Sequence, residues 1–402
     1  MRILFCNYEY PPLGGGGGVI NAMLAEEMAN DHEVTVLTSQ GLGLPDKCVE
    51  NGVNVVRVPV FFRDKQAVAN LPSMMAFVPM GIKVGKELLE KHKFDVINTH
   101  FVVPTGPVGD TLAHIANVPN VLSLHGGDIY DPSKSMSPHR HPTLRFMIKR
   151  LLRRADIVVG QSRNTLANMR RFYTPEIAGS RIPLAINRPP AGAAARSDYG
   201  FGENEVLLAT VGRLVARKGV DQLVTMMEHF RNEPVRLLIM GSGPQANTLK
   251  EEVQKRQLND QVTFLGFVEE AEKFRILHMS DLYVSTSQHE GFGLVYLEAM
   301  ACGLPVVCYD HGGQTDFLRN DKTGYLISLN DLDLFTERCR LLINNAELRS
   351  AMGENNLEYV QEYYIDSCAT KYENLFREAV EMNRRRQYVW QQAWLQKRAV
   401  HQ

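Results

Sequence analysis

Residues 282–309 read LYVSTSQHEGFGLVYLEAMACGLPVVCY. A short apolar run at 282–286 gives way to a turn bearing Gly291 and Gly293. A helical stretch at 294–301 follows, and then a second apolar run at 305–309. Short, nearly continuous apolar runs suit strands buried on both faces. A helix between two such runs carries the chain back to the starting edge of the sheet, so the segment is a strand–helix–strand unit of a parallel sheet.

The same alternation extends outward from this unit. Strands are expected at 206–211, 235–240, 262–265 and 324–327, with helices between them, as at 220–230. Further upstream, strands are expected at 3–7, 34–38, 54–59, 95–99, 120–124 and 157–160, with helices such as 19–29 and 142–154. The pattern predicts an α/β protein with parallel sheets covered by helices on both faces. Residues 189–199 (PPAGAAARSDY) interrupt it with a Pro-, Ala- and Gly-rich stretch that reads as a linker. At 402 residues the chain has room for two domains, each with its own core.

Composition narrows the function. The formal net charge is −1, which argues against a bulk nucleic-acid binder. Residues 1–187 hold 20 Lys and Arg against 16 Asp and Glu, and residues 188–402 hold 24 against 29. The mildly basic first half suits an anionic partner, an acidic lipid surface included. The six cysteines form no Cys-x-x-Cys pair and have no His at metal-ligand spacing. Scattered thiols fit a reducing, cytoplasmic setting. The start, Met-Arg-Ile-Leu-Phe-Cys, reads as a strand rather than a signal peptide, and no apolar run has the length of a membrane span.

Four stretches carry candidate chemistry. Residues 11–18 (PPLGGGGG) follow the first strand and precede a helix. Bare backbone N–H groups at a helix N-terminus cradle phosphate, although a glycine run also serves as a plain flexible loop. The dinucleotide fingerprint is absent, because its last small residue would fall on Val19, Ile20 or Asn21; a P-loop is excluded by the lack of Gly-Lys-Ser/Thr. Residues 212–219 (GRLVARKG) put Arg213 and Lys218 at the carboxyl edge of a strand. Two cations there suit a diphosphate, or are an ordinary solvated pair. Residues 241–246 (GSGPQA) match Gly-x-Gly-x-x-Ala, yet Asp260 precedes the next strand instead of ending it. That argues against a nicotinamide site and favours a tight turn beside a ligand.

The fourth stretch, 289–303 (HEGFGLVYLEAMACG), sets Glu290 at the turn and Glu298 on the helix. Eight helical residues rise roughly 12 Å, enough to put one carboxylate at a sugar and the other at a ribose. A carboxylate accepts from two vicinal hydroxyls. Two surface glutamates would explain Glu298 but not the glycines around Glu290. His125, in the 124–128 turn LHGGD, ends a strand and is read as a ligand contact; His289 is read as support for its own turn.

Together these segments, with LGFV at 265–268 and DHGGQTDFL at 310–318, resemble glycosyltransferase family 4 over nearly the whole chain. That likeness implies a GT-B fold: two Rossmann-like, doubly wound parallel-sheet domains facing across a cleft. The acceptor would bind on 1–187 and the donor on 188–374, with the final helix, 375–402, packing back on the first domain. Arg213 and Lys218 would hold the donor diphosphate, approached from the other side by Gly16 and Gly17. Glu290 and the backbone amides of Phe292, Gly293 and Leu294 would hold the sugar, and His125 would touch it. Glu298 would bind the ribose, and the backbone of Val268 the base. The implied reaction is retaining transfer from a UDP- or GDP-sugar to an acceptor hydroxyl, with no metal and no cofactor. One departure stands out: Asp316 occupies a position where the family pattern leads one to expect glutamate.

The acceptor is read more coarsely, as a glycan, a lipid-linked molecule or a small molecule. Residues 132–155 hold seven Lys and Arg and no acid, with Leu144, Met147, Ile148, Leu151 and Ala155 at helical spacing. Such a helix either packs on its own sheet or lies on an anionic membrane. The Met-rich stretch 71–82 is groove or core. Arg384, Arg385, Arg386, Lys397, Arg398, Trp390 and Trp394 give the tail a basic, aromatic character that fits peripheral membrane contact. Two other functions remain open at this level: another sugar-nucleotide enzyme on the same scaffold (an epimerase or phosphorylase), and a non-catalytic nucleotide-sugar-binding partner.

Overall fold

The computed structural model describes residues 1–61, 63, 70–131 and 136–399. Residues 132–135 of the basic stretch lie outside this set, as do the side chains of Trp390, Trp394, Lys397 and Arg398. The chain divides into two compact units, Met1–Ala185 with Ile365–Gln402, and Ile186–Tyr364.

The first unit runs β1 (Arg2–Asn7), α1 (Gly16–Met28), β2 (Glu33–Ser39), β3 (Lys47–Glu50), β4 (Val53–Val58), α2 (Leu71–Lys91), β5 (Val96–His100), α3 (Gly106–Ala116), β6 (Asn120–Leu124), α4 (Pro142–Arg154), β7 (Ile157–Gly160), α5 (Arg163–Phe172) and β8 (Ser180–Arg181). Its sheet has the order β3-β4-β2-β1-β5-β6-β7-β8, parallel except for the β3–β4 pair. Strand alternation sorts the core. Ile3 and Phe5 of β1 pack with Leu24, Ala25 and Met28 of α1 on one face; Leu4 and Cys6 pack with Phe77 of α2 and Leu112 of α3 on the other.

The second unit runs β9 (Val206–Val211), α6 (Val220–Met227), β10 (Val235–Met240), α7 (Ala246–Lys255), β11 (Val262–Gly266), α8 (Glu270–Met279), β12 (Leu282–Ser285), α9 (Leu294–Ala301), β13 (Val306–Tyr309), β14 (Gly324–Ile327), α10 (Leu332–Ile343) and α11 (Ala346–Tyr359). Its parallel sheet has the order β11-β10-β9-β12-β13-β14. Leu208, Leu237, Ile239, Val284 and Val307 pack with Leu223, Val224 and Met227 of α6 in one core cluster.

The last helix, α12 (Ile365–Ala399), belongs to the first unit. It joins that unit at Ile365, ten residues before the expected 375. The reason lies in its apolar stripe: Ile365, Ala369, Tyr372, Phe376 and Ala379 recur at helical spacing and all pack into the β1–α1 core. Burying a side chain such as Phe376 contributes roughly 1.5–3 kcal/mol. The other boundary falls at Ala185, two residues before the expected 187.

Three further stretches differ from expectation or are decided by packing. The helix expected at 19–29 starts at Gly16, so three of the five glycines lie in its first turn. The Met-rich stretch at 71–82 is the first half of α2, which buries Ser73, Phe77 and Gly81 and leaves Met75 exposed. Helix α4 packs on its own sheet: Ile148, Leu151 and Leu152 are buried, Arg145 donates to the Phe172 carbonyl, and Arg153 and Arg154 pair with Glu176 and Asp110. Among the described residues no helix is long and apolar enough to cross a membrane.

Candidate functional site

In the second unit the chain order reverses between β9 and β12. In an open parallel sheet such a reversal leaves a crevice at the strands' carboxyl ends, where the loops leaving the two strands diverge. The loop after β9 carries Arg213, Arg217 and Lys218; the loop after β12 carries Glu290.

Glu290 is held from both sides. Its backbone bridges to Gly312, and its carbonyl accepts from the Gly313 amide at 3.0 Å. Its carboxylate accepts from Lys218 Nζ and lies 3.5 Å from Arg217 Nη1. Arg217 also donates to the His289 carbonyl, so His289 does support the turn, through its backbone. Burial by itself would raise the Glu290 carboxyl. The Lys218 and Arg217 charges, with hydrogen bonds from Lys218 and Ser287, outweigh it and hold the group below the usual carboxylate range. Glu290 is therefore a buried anion whose charge is matched locally.

Gly293 caps α9 with φ +94°. A side chain there would be strained and would strike the ring of Tyr296. The Tyr296 amide already donates to the Gly293 carbonyl at 3.0 Å, which leaves the Leu294 and Val295 amides as the helix N-terminal donors of the kind that bind anions. Phe292 is buried against Phe317, ring centroids 5.3 Å apart, so it can offer a ligand only its backbone. One and a half turns along α9, Glu298 pairs with Lys273 of α8 at 2.9 Å.

Beside these groups lies a cavity of about 660 Å³, lined by Arg213, Gly241, Gly243, Phe267, Val268 and Lys273 among others. That volume is ordinary for a small-molecule site. Arg213 is exposed into it, and Val268 sits just beyond the end of β11. Asp316 is buried in the short turn Gly313–Asp316 that follows the Glu290 clamp.

The first unit has its own reversal, between β1 and β5. The loop after β1 leads into α1, where the Gly15 amide donates to the Glu9 carboxylate at 3.1 Å. Gly16 and Gly17 open the helix. A Cβ on Gly17 would overlap the Phe101 ring, and that ring stacks on His125, centroids 4.1 Å apart. The His125 loop is pinned by Asp128, which accepts from the His125 amide at 3.0 Å and the Val102 amide at 2.8 Å. His125 Nε2 lies 2.9 Å from His100 Nδ1. Burial pushes the His125 imidazole down to about 3 and His100 well below its ordinary value, while it raises Asp128 to about 6.

Within the second unit the structure brings Lys218 to Glu290, and sets Arg213 and Val268 on one cavity. In the first it joins Gly17 to His125 through Phe101. Five contributors escaped sequence reading: Arg217, Lys273, Phe101, Asp128 and His100. Asp128 was in view as the last residue of LHGGD, where an Asp beyond a Gly pair is a sign of a carboxylate closing a turn. His100 was missed because β5 was expected to stop at Thr99.

Sequence comparison matches residues 193–359 to the family described as Glycosyl transferases group 1, and residues 15–185 to the one described as Glycosyl transferase 4-like domain. The chain is 30% identical over 403 residues to an uncharacterized glycosyltransferase of Methanocaldococcus jannaschii, covering 95% of this chain and 99% of the relative. It is 27% identical to a GDP-mannose-dependent alpha-(1-6)-phosphatidylinositol monomannoside mannosyltransferase of Mycolicibacterium smegmatis, covering 87% and 91%. In three dimensions it resembles sucrose-phosphate synthase from Thermosynechococcus elongatus, with TM-score 0.79 and 23% identity over 94% of this chain and 98% of the other.

Proposed function

Because this chain belongs to the family 4 glycosyltransferases, which have the GT-B fold, we propose that it moves a sugar from a UDP- or GDP-sugar to an acceptor hydroxyl with the anomeric configuration retained. The observation that carries the donor site is the ion pair of buried Glu290 with half-buried Lys218 at the β9–β12 reversal, beside the Arg213 cavity. Lys218 and Arg213 neutralise the departing diphosphate, the group on which negative charge builds in the transition state. The first amides of α9, with Gly293 and Leu294, face the same anion. Glu290 accepts from sugar hydroxyls, Glu298 from the ribose, and the Val268 backbone meets the base.

In the reaction the bond from C1 to the diphosphate oxygen breaks, and the acceptor oxygen bonds C1 on the same face. The acceptor proton passes to the leaving phosphate oxygen. Charge neutralisation is assigned to the side chains and amides just named, so the proposal includes neither a metal nor a cofactor. On the first unit, Gly16, Gly17 and His125 are assigned as ligand contacts of that unit, His125 with a sugar.

The test is NMR of the first sugar released from UDP-glucose, UDP-N-acetylglucosamine and GDP-mannose, whose sugars are all α-linked. The proposal predicts release of nucleoside diphosphate with the α-anomer appearing first, reduced about 100-fold in Lys218→Ala. Initial β-anomer would contradict retention; no release beyond that of Lys218→Ala would contradict the site.

The finer part of the proposal is a lipid-linked or cell-envelope acceptor, reached by peripheral contact with an anionic membrane from its cytoplasmic side. The similarity to a phosphatidylinositol mannoside transferase supports that acceptor class. Flotation with anionic vesicles tests it: co-migration is expected, and no affinity would remove the membrane from the account.

A further inference from the structure

The hydrogen bonds behind His125 run in one direction. Asn98 Nδ2 lies 3.0 Å from the Val121 carbonyl and 3.1 Å from Ser123 Oγ. A carbonyl oxygen only accepts, so the amide nitrogen must face Val121, and Asn98 Oδ1 is the atom turned to His100 Nε2, at 2.5 Å. His100 therefore carries its proton on Nε2. His100 is buried to 1% exposure, and its hydrogen-bond and ring partners among the described residues, Asn98, His125, Phe5 and Tyr372, are neutral groups, so it stays neutral and its Nδ1 is a bare acceptor. His125 Nε2 must then donate across the 2.9 Å contact. Neutral His125 has one proton, and it is spent there. Its other nitrogen, Nδ1, is buried with no hydrogen-bond partner among the described residues.

We infer that Asn98 and His100 are positioning residues that hold His125 in a single tautomer, with Nδ1 as an unpaired acceptor. A buried acceptor without a donor is costly, and a ligand group that donates removes that cost. The group that meets Nδ1 is thus a hydroxyl or amide N–H of the sugar, never a phosphate oxygen, which has no proton to offer. His125 selects for a hydrogen-bond donor at one point of the ligand. The network reaches further back, since Tyr372 of α12 lies 3.1 Å from the same Ser123 Oγ. The identity of the ligand rests on the proposed function; the tautomer does not.

The experiment is long-range ¹H–¹⁵N NMR of the ligand-free chain with labelled histidine, at neutral pH. The His125 signals are identified by their loss in His125→Gln. The wild type is expected to show His125 with a protonated Nε2 and a bare Nδ1. His100→Asn keeps an acceptor where Nδ1 was and should preserve that pattern; His100→Leu removes it and should mix the tautomers. Asn98→Asp adds a carboxylate that favours the His100 cation, whose Nδ1–H would donate to His125 and move the bare nitrogen to Nε2. A protonated Nδ1 in the wild type, or an unchanged His125 pattern in His100→Leu, would overturn the inference. Because no ligand is present, a failed glycosyltransferase reading leaves this outcome intact, and the reverse holds too.

Discussion

Lys218 and Glu290 touch in a part of the molecule with little solvent, and neither charge would settle there alone. Lys218→Ala leaves Glu290 with Arg217 at 3.5 Å as its remaining cation. Loss of about 1–3 kcal/mol is expected in chemical denaturation, less than full removal of a buried partner because Arg217 stays. Glu290 has a folded pKa below its ordinary 4.5, so its stabilising share is complete above that value and lost as pH falls through the folded value. The stability gap between wild type and Glu290→Gln should accordingly shrink in acid below pH 4.5; a gap that widens there would contradict the pairing. His125 runs on another window. Its folded value, about 3, lies below the ordinary 6.5, so between those limits only the unfolded chain binds the proton. The His125 share of the stability should fall by about 1.4 kcal/mol per pH unit on acidification through that range; His125→Asn should remove that share and leave that of His100, which burial also lowers. The comparison with the variant is needed because Asp128, raised to about 6, titrates in the opposite sense.

At the level of elements, most strands were legible because a parallel strand buried on both faces is a continuous apolar run, and few other structures look like that. β6, β7, β9, β10 and β14 begin and end where the sequence puts them. What escaped were strands with little apolar content, β3 and β8, which sit at the sheet's two edges where one face or side stays open. The start of α1 was also hidden, since glycine has low helix propensity and only the packing of α1 against β1 overrides it. The candidate site was legible where glycines and charges coincide, as at Glu290 and Lys218. It was hidden where function depends on one residue's length of strand, as at His100. Two glycines give element-scale predictions. Gly17→Ala forces Phe101 off the His125 ring and should cost about 1–3 kcal/mol as overpacking. Gly293→Ala strains the α9 cap and, by displacing Tyr296, should weaken nucleotide-sugar binding by calorimetry relative to wild type. Equal binding in Gly293→Ala and wild type would remove the α9 N-terminus from the site.

On the scale of the whole molecule, each unit repeats one device, a parallel sheet whose strand order reverses at the first strand, with glycines at the loops leaving the reversal. The repetition explains how a chain of near-neutral charge can concentrate cations: Arg213, Arg217 and Lys218 come from one loop, and Lys273 from the helix after β11. The second unit is proposed to grip a nucleotide-sugar through these groups and Glu290. The most direct measurement is a melting-temperature panel of wild type, Lys218→Ala and Glu290→Ala with UDP-, GDP- and ADP-sugars. A ligand at 100 times its dissociation constant stabilises by about 2.7 kcal/mol. A UDP- or GDP-sugar should raise the wild-type melting temperature, and both variants should lose most of that rise. No stabilisation of the wild type by any of them, or an equal rise in all three proteins, would contradict the proposal.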